Sequence, residues 1–568
     1  MENIIMITTV PYPVFFQRHA ELLDGLWDFH FAGDTPCAIG NVPYDDLMPV
    51  PGVFDMSPRY IGKRGFAYYR KKVLAPANRK IRLHIGGLGF RASIFWDGVE
   101  VGVDDLPYSG MDFVFDSGNG ETHELVFEID NRFHKELSPL LHQYYDFYCY
   151  GGFYRSVELH VLPDCWFERV HVTTEDLTTG QVQLDIRLGG NVPETFSFDL
   201  AFDTGAYKTF CEKPVNGRIR LSLPVPDFKL WSPETPNLHT VSLRTADDGI
   251  TERFGIRTVT TGEGKIYING KSIRLKGFCR HESHPQFGPV QPRQLLIEDL
   301  QNLRTLGCNF VRGSHYPQDP QFLDLCDQLG FLVWEESLGW GNRTEQMANP
   351  SFFNSQVRQT GLMVRNSYNH PCIILWGFLN EGCSWEAANR PLYEALVKAI
   401  KEEDTSRLVT CALMGKLQDQ CVLDLMDVIS MNQYPAWYAY NPDEVRPLHE
   451  IPEAIERIRT AIIDGGHQNK AFILSEIGAG AIYGWRDRMR AHWSEEYQAD
   501  YLGTVLDVMK ENPWMTGIAL WHFADARTYT SSYALGRPRT INDKGILDDF
   551  RRPKLAFDVV KEKFPTIN

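Results

Sequence analysis

The sequence predicts a multidomain protein with two N-terminal β-sandwiches followed by a (β/α)8 TIM barrel. Its 568 residues are too many for a single hydrophobic core. Up to about residue 260, short β-like runs alternate with Gly, Pro and Asp turns, and beyond about residue 264 apolar runs alternate with amphipathic helical patterns. We therefore predict domains over residues 1–163, 164–260 and 261–568.

Both N-terminal domains are predicted to be β-sandwiches. In the first, β-like runs such as residues 26–29 and 92–96 are separated by turns, for example Asp97-Gly98. In the second, residues 182–186 and 219–223 alternate apolar with polar side chains, as half-buried strands do. The second block is about a hundred residues long, which is typical of an immunoglobulin-like sandwich.

The barrel is predicted from about eight apolar strand candidates, most of them followed by a helical pattern. In the first helix, Leu296, Leu300 and Leu303 recur at helical spacing. A last helix is predicted over residues 553–564. The strand candidates are residues 272–280, 309–314, 331–334, 372–379, 408–412, 427–431, 471–474 and 516–521.

Composition excludes several classes of function. A formal net charge of −16 lacks the basic balance that nucleic acids or anionic membranes require. The N-terminal stretch has Glu2 where a signal peptide has Lys or Arg, and no later run approaches transmembrane length. We therefore expect a cytoplasmic protein with neither a nucleic-acid nor a membrane partner.

The cysteines indicate a reduced core. The 11 cysteines are odd in number and lack a Cys-x-x-Cys pair, and several lie in apolar segments, as Cys308, Cys326 and Cys372 do. We expect no metal site and no cofactor.

Two predicted barrel strands deliver a glutamate at their carboxyl ends. The strand over residues 372–379 is followed by Asn380 and Glu381, and the strand over residues 471–474 by Ser475 and Glu476. In a parallel barrel these ends converge on one face. Paired carboxylates there are typical of glycoside hydrolysis. A helix cap or a solvated loop would explain one glutamate alone, but the matching contexts favour catalysis.

The sequence resembles glycoside hydrolase family 2 at motifs that follow one another in the family's order over nearly the whole chain. This resemblance implies a jelly-roll-like, sugar-binding first domain, an immunoglobulin-like second domain and a catalytic TIM barrel. The motifs are DGLW at residues 24–27, LWSP at 230–233, FGIR at 254–257, KGFCRHE at 276–282, SHYP at 314–317, NHP at 369–371, NE at 380–381 and SE at 475–476.

Within that family, the sequence is similar to the bacterial β-glucuronidases. Residues 542–544 match the Asn-x-Lys motif with which that group binds a sugar carboxylate, and GI at 545–546 and RPK at 552–554 follow as in that group. Lys544 comes after the eighth predicted strand, so we expect it on the same face as both glutamates. A lysine there can meet a uronate carboxylate, whereas the motif alone would also fit a solvated loop.

The resemblance implies a role for each residue of the predicted site. Glu381 is the general acid/base and Glu476 the nucleophile of a retaining mechanism, in which the carboxyl groups stand about 5 Å apart. Asn380 binds the sugar 2-hydroxyl, and Asn542 and Lys544 bind the carboxylate.

Further residues are expected around the sugar. Trp521, at the end of the eighth predicted strand, offers a flat apolar ring for stacking. Glu282, Glu335 and Glu336 also end predicted strands, and the family pattern leaves them as supporting hydrogen-bond partners. The remaining residues that match sugar-pocket positions of the family are Asn432, Tyr434, Tyr438, His281, His315 and Asp146.

The resemblance implies a homo-oligomeric hydrolase of terminal β-D-uronides, either small molecules or oligosaccharides, with β-glucuronides as the first expectation. A β-D-galacturonidase stays open, since four loop arginines near the predicted barrel mouth could contact the hydroxyl that distinguishes the two sugars. A β-galactosidase would keep both glutamates without using Lys544, and the intact glutamates disfavour an inactive carbohydrate-binding protein. The four arginines are Arg343, Arg486, Arg537 and Arg539.

Two positions depart from the β-glucuronidase pattern. Ile477 follows the predicted nucleophile where that group commonly has tyrosine. The segment after Trp340 is short, so we expect the loop that covers the aglycone in some bacterial relatives to be absent. We therefore expect a site that is open to larger or oligomeric substrates.

Overall fold

The computed structural model describes residues 11–134, 139–140, 146–438, 447–529 and 536–567. Over these residues the chain forms two β-sandwiches and a parallel (β/α)8 barrel, as the sequence predicts. No helix of the described ranges is long and apolar enough to cross a membrane. Glu2, on which the expectation about a signal peptide rests, lies outside those ranges.

The first sandwich packs a six-stranded sheet against a four-stranded sheet. Ile94 and Phe127 from the larger sheet share one fully buried core with Leu83 and Leu159 from the smaller sheet. Full burial of such a side chain stabilises the fold by about 1.5–3 kcal/mol. In sheet order the strands are Val99–Asp104, Arg91–Trp96, Thr122–Asp130, Phe66–Leu74, Gly25–Gly33 and Asp46–Val50, then Met111–Asp116, Lys80–Ile85, Val157–Leu162 and His19–Leu22, with a small sheet of Gly52–Val53, Gly152–Phe153 and Leu88–Gly89.

The second sandwich packs a three-stranded sheet against a five-stranded sheet. Strand Gln181–Gly190 buries Val182 and Leu184 and leaves the residue between them partly exposed, as its alternating pattern predicts. One edge strand of the larger sheet, Val14–Phe16, comes from the N-terminal part of the chain and pairs with Gly249–Phe254. In sheet order the strands are Cys165–Asp176, Gln181–Gly190 and Arg218–Pro224, then Val14–Phe16, Gly249–Phe254, His239–Arg244, Phe196–Phe202 and Lys208–Glu212.

A three-stranded meander covers the amino-terminal end of the barrel. Its strands are Val259–Gly262, Lys265–Ile268 and Lys271–Ile273. Thr516, just before the eighth barrel strand, donates its hydroxyl to the Gly264 carbonyl at 2.7 Å. The meander therefore closes the end of the barrel opposite the predicted glutamates.

The barrel consists of nine strand segments in one parallel sheet, because its fifth strand is interrupted. The two halves of that strand pair with the fourth and with the sixth strand, which closes the barrel. Between the halves, Thr410 donates its N–H to the Trp376 carbonyl at 3.0 Å and its hydroxyl to the Val428 carbonyl at 2.9 Å. The segments are Leu275–Arg280, Phe310–Gly313, Leu332–Glu336, Ile373–Gly377, Leu408–Val409, Ala412–Leu413, Val428–Asn432, Ala471–Ile477 and Gly517–Leu520, and a hairpin of Ala526–Arg527 and Ile541–Asn542 follows.

Helices connect most of the barrel strands, and polar caps fix where several of them begin. Asp319 accepts from the Gln321 N–H at 2.8 Å, and Ser494 accepts from the Tyr497 N–H at 3.1 Å. This alternation leaves the loops that follow the strands on one face, the barrel mouth. The helices are Arg293–Thr305, Pro320–Leu329, Thr344–Met347, Pro350–Ser367, Arg390–Glu403, Glu450–Asp464, Glu495–Glu511 and Leu555–Lys563.

Candidate active site

The guanidinium group of Arg312 lies at the centre of the barrel mouth. Arg312 belongs to the second strand and is fully buried. It donates to Glu336 Oε1 at 2.7 Å, to Glu476 Oε1 at 2.8 Å and to Asn380 Oδ1 at 2.8 Å. One cation therefore connects the carboxyl ends of the second, third, fourth and seventh strands. Its burial is tolerated because its hydrogen-bond donors have partners.

Glu476 is the sixth residue of the strand Ala471–Ile477 and is 3% exposed. Its Oε1 accepts from Arg312, and its Oε2 accepts from the Tyr434 hydroxyl at 2.7 Å. Both oxygens of this carboxylate are thus held by donors.

Glu381 follows the fourth strand, and its backbone N–H donates to the Ala412 carbonyl at 2.9 Å. Its Oε1 accepts from Asn432 Nδ2 at 2.9 Å, and the same amide approaches Asn380 Oδ1 at 3.1 Å. Glu381 has a φ of +52°, which is uncommon for a residue other than glycine. Such backbone strain is concentrated at functional sites.

The surroundings of the two glutamates differ in charge. Burial raises the pKa of both carboxyl groups. Glu476 accepts from a guanidinium cation and a phenol, whereas Glu381 accepts from a neutral amide. Charged donors stabilise a carboxylate more than a neutral amide does. Burial nevertheless dominates at Glu476 and raises its pKa to about 8, so Arg312 and Tyr434 offset the effect of burial only in part.

Two histidines and a tryptophan line the same space. His315 Nδ1 lies 3.2 Å from Glu336 Oε2, and the His315 ring stacks on Trp521 with 5.2 Å between centroids. His281 Nδ1 lies 3.2 Å from the Tyr316 hydroxyl, and the His281 ring meets Trp521 edge to face at 5.3 Å. Burial lowers the pKa of His315 to about 4, so its imidazole is neutral near pH 7.

Several buried polar atoms of the predicted substrate residues have no hydrogen-bond partner among the described residues. Buried polar groups of native proteins are nearly always paired, so these atoms are available to hydrogen-bond water or a polar ligand. The atoms are His281 Nε2, His315 Nε2, Trp521 Nε1, Asn380 Nδ2 and Asn542 Oδ1.

Lys544 lies beside this space and is 1% exposed. Its ammonium donates to the Tyr438 hydroxyl at 2.9 Å and lies 4.9 to 5.7 Å from the ring centroids of Tyr434, Trp437 and Tyr438. Within the part of the chain that the structure describes, no carboxylate lies within 4.0 Å of this ammonium. Burial lowers the pKa of Lys544, so an anion brought beside it would stabilise the charged form.

Asp146 reaches the barrel mouth from the first sandwich. Its Oδ1 and Oδ2 accept from Arg537 Nε and Nη2, both at 2.6 Å, and Oδ2 also accepts from Asn542 Nδ2 at 2.9 Å. Arg537 Nη2 donates in addition to the Tyr438 hydroxyl at 3.2 Å. Asp146 therefore belongs to the same cluster as Asn542 and Lys544, but its carboxylate is held by an arginine of the barrel.

The other rim arginines differ from Arg537 in exposure. The side chains of Arg486 and Arg539 are 56% and 57% exposed, and Arg539 pairs with Asp543 at 2.6 Å. Arg343 is exposed as well. Of the four arginines that the sequence singles out, Arg537 is the one that the structure places inside the cluster.

The three further strand-end glutamates have hydrogen-bond partners, as expected of supporting residues. Glu336 accepts from Arg312, and Glu282 accepts from the Asp319 N–H at 2.6 Å. Glu335 accepts from the Ser367 hydroxyl at 3.1 Å.

One cluster of metal-ligand type occurs among the described residues, and it is far from the glutamates. Asp327, His370 and Cys372 offer ligand atoms within 4.8 Å of one another. Cys372 precedes the fourth strand, so the cluster lies at the amino-terminal end of the barrel. Asp327 is already occupied there, because His370 Nδ1 lies 2.6 Å from Oδ2 and the Cys372 N–H donates to Oδ1 at 3.0 Å.

The sequence analysis missed Arg312 and Trp437. Arg312 interrupts the apolar strand Phe310–Gly313, and a lone arginine in a buried strand is a signal for an inward-facing charged network. Trp437 follows Tyr434 in the loop after the sixth strand, and no feature of the sequence separates it from an ordinary core tryptophan.

A parallel barrel with two glutamates at the ends of its fourth and seventh strands, preceded by two sandwiches, fits the paired carboxylates of a glycosyl hydrolase. The chain belongs to glycosyl hydrolases family 2. The model of the family's TIM barrel domain matches residues 259–568, and a second model of the family, Glycosyl hydrolases family 2, matches residues 166–257.

Known proteins of this family are similar to the chain over almost its whole length. The β-glucuronidase of Canis lupus familiaris is 28% identical, covering 96% of this chain and 91% of that protein. The crystal structure of a GH2 β-galacturonidase from Eisenbergiella tayi is 33% identical with a TM-score of 0.88, covering 99% of each chain. A β-glucuronidase structure from Bifidobacterium dentium shares the fold at 24% identity, with a TM-score of 0.86 over 96% of this chain and 97% of that one.

Proposed function

We propose that this protein is a retaining β-glycosidase that removes terminal β-D-uronides, with β-glucuronides as the first candidate. The observation that carries the proposal is the buried ammonium of Lys544, for which the described residues offer no carboxylate partner. A buried cation without an anion is costly. A uronate carboxylate would supply that anion, whereas the hydroxymethyl group of a neutral sugar would not.

The proposed reaction has two steps. In the first, Glu381 donates its proton to the glycosidic oxygen while Glu476 attacks the anomeric carbon, so that the aglycone leaves as an alcohol and a glycosyl-enzyme forms. In the second, Glu381 takes a proton from water, the water oxygen attacks the anomeric carbon, and the bond to Glu476 breaks. The sugar leaves with its original anomeric configuration.

The surrounding side chains support these roles. Arg312 and Tyr434 hold both oxygens of Glu476 and favour its ionised form. Glu381 accepts from the neutral Asn432 amide, which permits a protonated state. Asn380 keeps its Nδ2 unpaired among the described residues and is suited to bind the sugar 2-hydroxyl, a contact that strengthens in the transition state.

The relatives support the uronide class. The canine relative is named a β-glucuronidase and the Eisenbergiella tayi relative a β-galacturonidase. Their sugars share a carboxylate at the same ring position and differ in the orientation of one hydroxyl. We assign that carboxylate to Lys544 and Asn542 in this protein.

A β-D-galacturonidase is the second candidate. The solved galacturonidase is 33% identical to this chain, whereas the solved Bifidobacterium dentium glucuronidase is 24% identical. Arg537 and Lys544 both donate to the Tyr438 hydroxyl, so we propose that the Asp146–Arg537 pair faces the ring carbon next to the carboxylate-bearing carbon. That carbon carries the hydroxyl in which the two sugars differ.

The test compares kcat/KM for p-nitrophenyl β-D-glucuronide, β-D-galacturonide and β-D-galactoside, with Lys544→Met beside the wild type. Methionine keeps the apolar packing and removes the charge. We expect a uronide to be the best substrate and the variant to lose about 100-fold or more on that uronide alone. If the galactoside is best and Lys544→Met changes nothing, the uronide proposal is wrong. The ratio of the two uronides decides between the two candidates.

A further inference from the structure

A cavity of about 390 Å³ lies where the two sandwiches and the barrel meet. Its wall includes Arg82 and Arg155 of the first sandwich, Glu168 and Glu252 of the second sandwich, and Glu335 of the barrel. Glu168 is exposed, so the cavity opens to solvent beside it. One water molecule takes up roughly 30 Å³ of the liquid. The cavity is therefore large enough for a small organic molecule.

This cavity is separate from the barrel mouth. Glu335 and Glu336 are consecutive residues of the third barrel strand, so their side chains point to opposite faces of the sheet. Glu336 accepts from Arg312 inside the barrel, whereas Glu335 lines the cavity outside it. A ligand in the cavity would not occupy the place of the sugar.

Each of the five arginines that line the cavity has an acidic partner other than Glu252 and Glu335. His370, which also lines the cavity, faces Asp327 with its Nδ1 2.6 Å from Oδ2. The positive charges of the wall are therefore balanced by other acids. The pairs are Arg82 with Asp112 at 2.9 Å, Arg169 with Glu168 at 3.2 Å, Arg155 with Glu282 at 3.5 Å, Arg253 with Asp324, and Arg365 with Glu403.

Glu252 and Glu335 are buried carboxyl groups of the wall without such a partner. Within the described ranges, no nitrogen of lysine, arginine or histidine lies within 4.0 Å of their carboxylate oxygens. Burial raises the pKa of Glu252 to about 8 and that of Glu335 to about 7. The charge of His370 lowers both pKa values, so the two carboxyl groups lie near the same imidazole. A cation between them would relieve the cost of their burial.

Four buried side-chain atoms of the wall have no hydrogen-bond partner among the described residues. Glu335 and Gln318 are each at most 1% exposed. Glu335 Oε1 accepts from the Ser367 hydroxyl and Gln318 Nε2 donates to the Tyr316 carbonyl, which leaves one oxygen of each side chain for a ligand. Acceptors predominate, so a ligand must supply hydrogen-bond donors. The four atoms are Glu335 Oε2, Gln318 Oε1, Ser109 Oγ and Arg155 Nε.

We propose that this cavity binds a small organic cation, whose N–H groups donate to Glu335 and Gln318 and whose charge is balanced by Glu335 and Glu252. An ammonium or guanidinium group supplies positive charge and hydrogen-bond donors together. A metal ion fits less well, because it needs several ligand atoms close together. Among the described residues such a cluster forms at Asp327, His370 and Cys372 and includes neither glutamate. The proposal is independent of the proposed hydrolysis.

The experiment titrates the full chain with methylguanidinium, which stays charged near neutral pH, and with methylurea, a neutral molecule of nearly the same size and shape. Isothermal titration calorimetry at fixed ionic strength measures both affinities. Glu335→Gln and Glu252→Gln are the test variants, because glutamine keeps the side-chain volume and removes the charge. Glu234→Gln is the matched control, since it also removes one negative charge but at a side chain that is 61% exposed and lies outside the cavity.

We expect one methylguanidinium to bind per chain with a Kd of about 1 mM or lower, and methylurea to bind at least about 10-fold more weakly. Each test variant should weaken the binding of methylguanidinium about 10-fold, whereas the control should stay within about twofold of the wild type. If one test variant fails to fold, the other variant and the comparison with methylurea still decide.

Three results would overturn the proposal. Methylguanidinium might not bind, methylurea might bind equally well, or both test variants might keep the affinity of the wild type. The hydrolysis of β-glycosides is measured separately, so failure of the cation site leaves the proposed function untouched, and failure of the proposed function leaves the cation site untouched.

Discussion

Arg312 Nη1 and Glu476 Oε1 are 2.8 Å apart in a place where both side chains are almost completely buried. The same guanidinium group pairs with Glu336 at 2.7 Å. One cation therefore serves two carboxylates, and the group of three carries a net negative charge when both are ionised. Arg312 therefore stabilises the negative charge on Glu476, but Glu476 shares this counter-charge with Glu336.

We predict that Arg312→Met lowers the free energy of unfolding by about 3–5 kcal/mol, because it leaves buried carboxylates without a counter-charge. Denaturant titration measures this loss. Glu336→Gln is the matched control: it removes one carboxylate and keeps the contact between Arg312 and Glu476, so it should cost less. A variant Arg312→Met as stable as the wild type would show that the buried pair contributes nothing.

The ion pair between Asp146 and Arg537 joins the first sandwich to the barrel mouth through two contacts of 2.6 Å. We predict that Asp146→Ala and Arg537→Ala each destabilise the protein by about 3–5 kcal/mol, since each breaks a buried ion pair by removing one partner. The double variant should lose less stability than the sum of the two single losses, with a coupling energy of about 0.5–3 kcal/mol. Thermal or denaturant unfolding of the wild type, the two single variants and the double variant completes this double-mutant cycle.

The control for that cycle is a second ion pair between the same two domains. Arg358 lies 3.1 Å from Asp105, and its side chain is 52% exposed. Exposed pairs contribute about 0–1 kcal/mol, so Arg358→Ala should change stability little. Equal effects at both pairs would contradict the importance of burial.

Much of the fold could be predicted from the sequence because its elements are locally consistent. All eight barrel strand candidates correspond to strands, since each is a short apolar run between turns. The interruption of the fifth strand could not be predicted, because it depends on hydrogen bonds from Thr410 to both neighbouring strands. The pairing of Val14–Phe16 with the second sandwich is likewise a long-range choice without a local signal.

The candidate site was predictable to a different degree at each residue. Glu381 and Glu476 end apolar runs, so topology alone brings them to one face. Asp146 lies in another domain, and only the resemblance to a family pointed to it. The ion pair between Asp146 and Arg537 depends on how the sandwich packs on the barrel, which no local pattern encodes.

Stability should depend on pH through His171, which joins the second sandwich to the barrel. His171 Nε2 lies 3.0 Å from the Arg365 carbonyl, and the ring stacks on Tyr368 at 4.2 Å. Burial lowers the pKa of His171 from 6.5 to about 4. A depressed histidine pKa stabilises the fold above pH 6.5, and this contribution is lost as pH falls from 6.5 to about 4.

We therefore predict that His171→Asn changes the pH dependence of unfolding. The variant should be less stable than the wild type at pH 7, and the difference should shrink by about 2 kcal/mol between pH 6.5 and 4, allowing for partial exposure of the ring. Denaturant titrations of both proteins across this range measure the difference. A constant difference at all pH values would show that His171 does not titrate in this window.

Tyr434 should tune the ionisation of the proposed nucleophile. Its hydroxyl donates to Glu476 Oε2 at 2.7 Å, and this hydrogen bond lowers the pKa of Glu476 against the effect of burial. Tyr434→Phe removes the donor and keeps the ring. We predict that the pKa of Glu476 rises, so the acidic limb of kcat/KM moves to higher pH by about one unit.

Tyr438→Phe is the control, because the Tyr438 hydroxyl contacts Lys544 and Arg537 instead of Glu476. That variant should change KM for a uronide and leave the acidic limb in place; an acidic limb that does not move in Tyr434→Phe would contradict the assignment of Glu476 as the nucleophile.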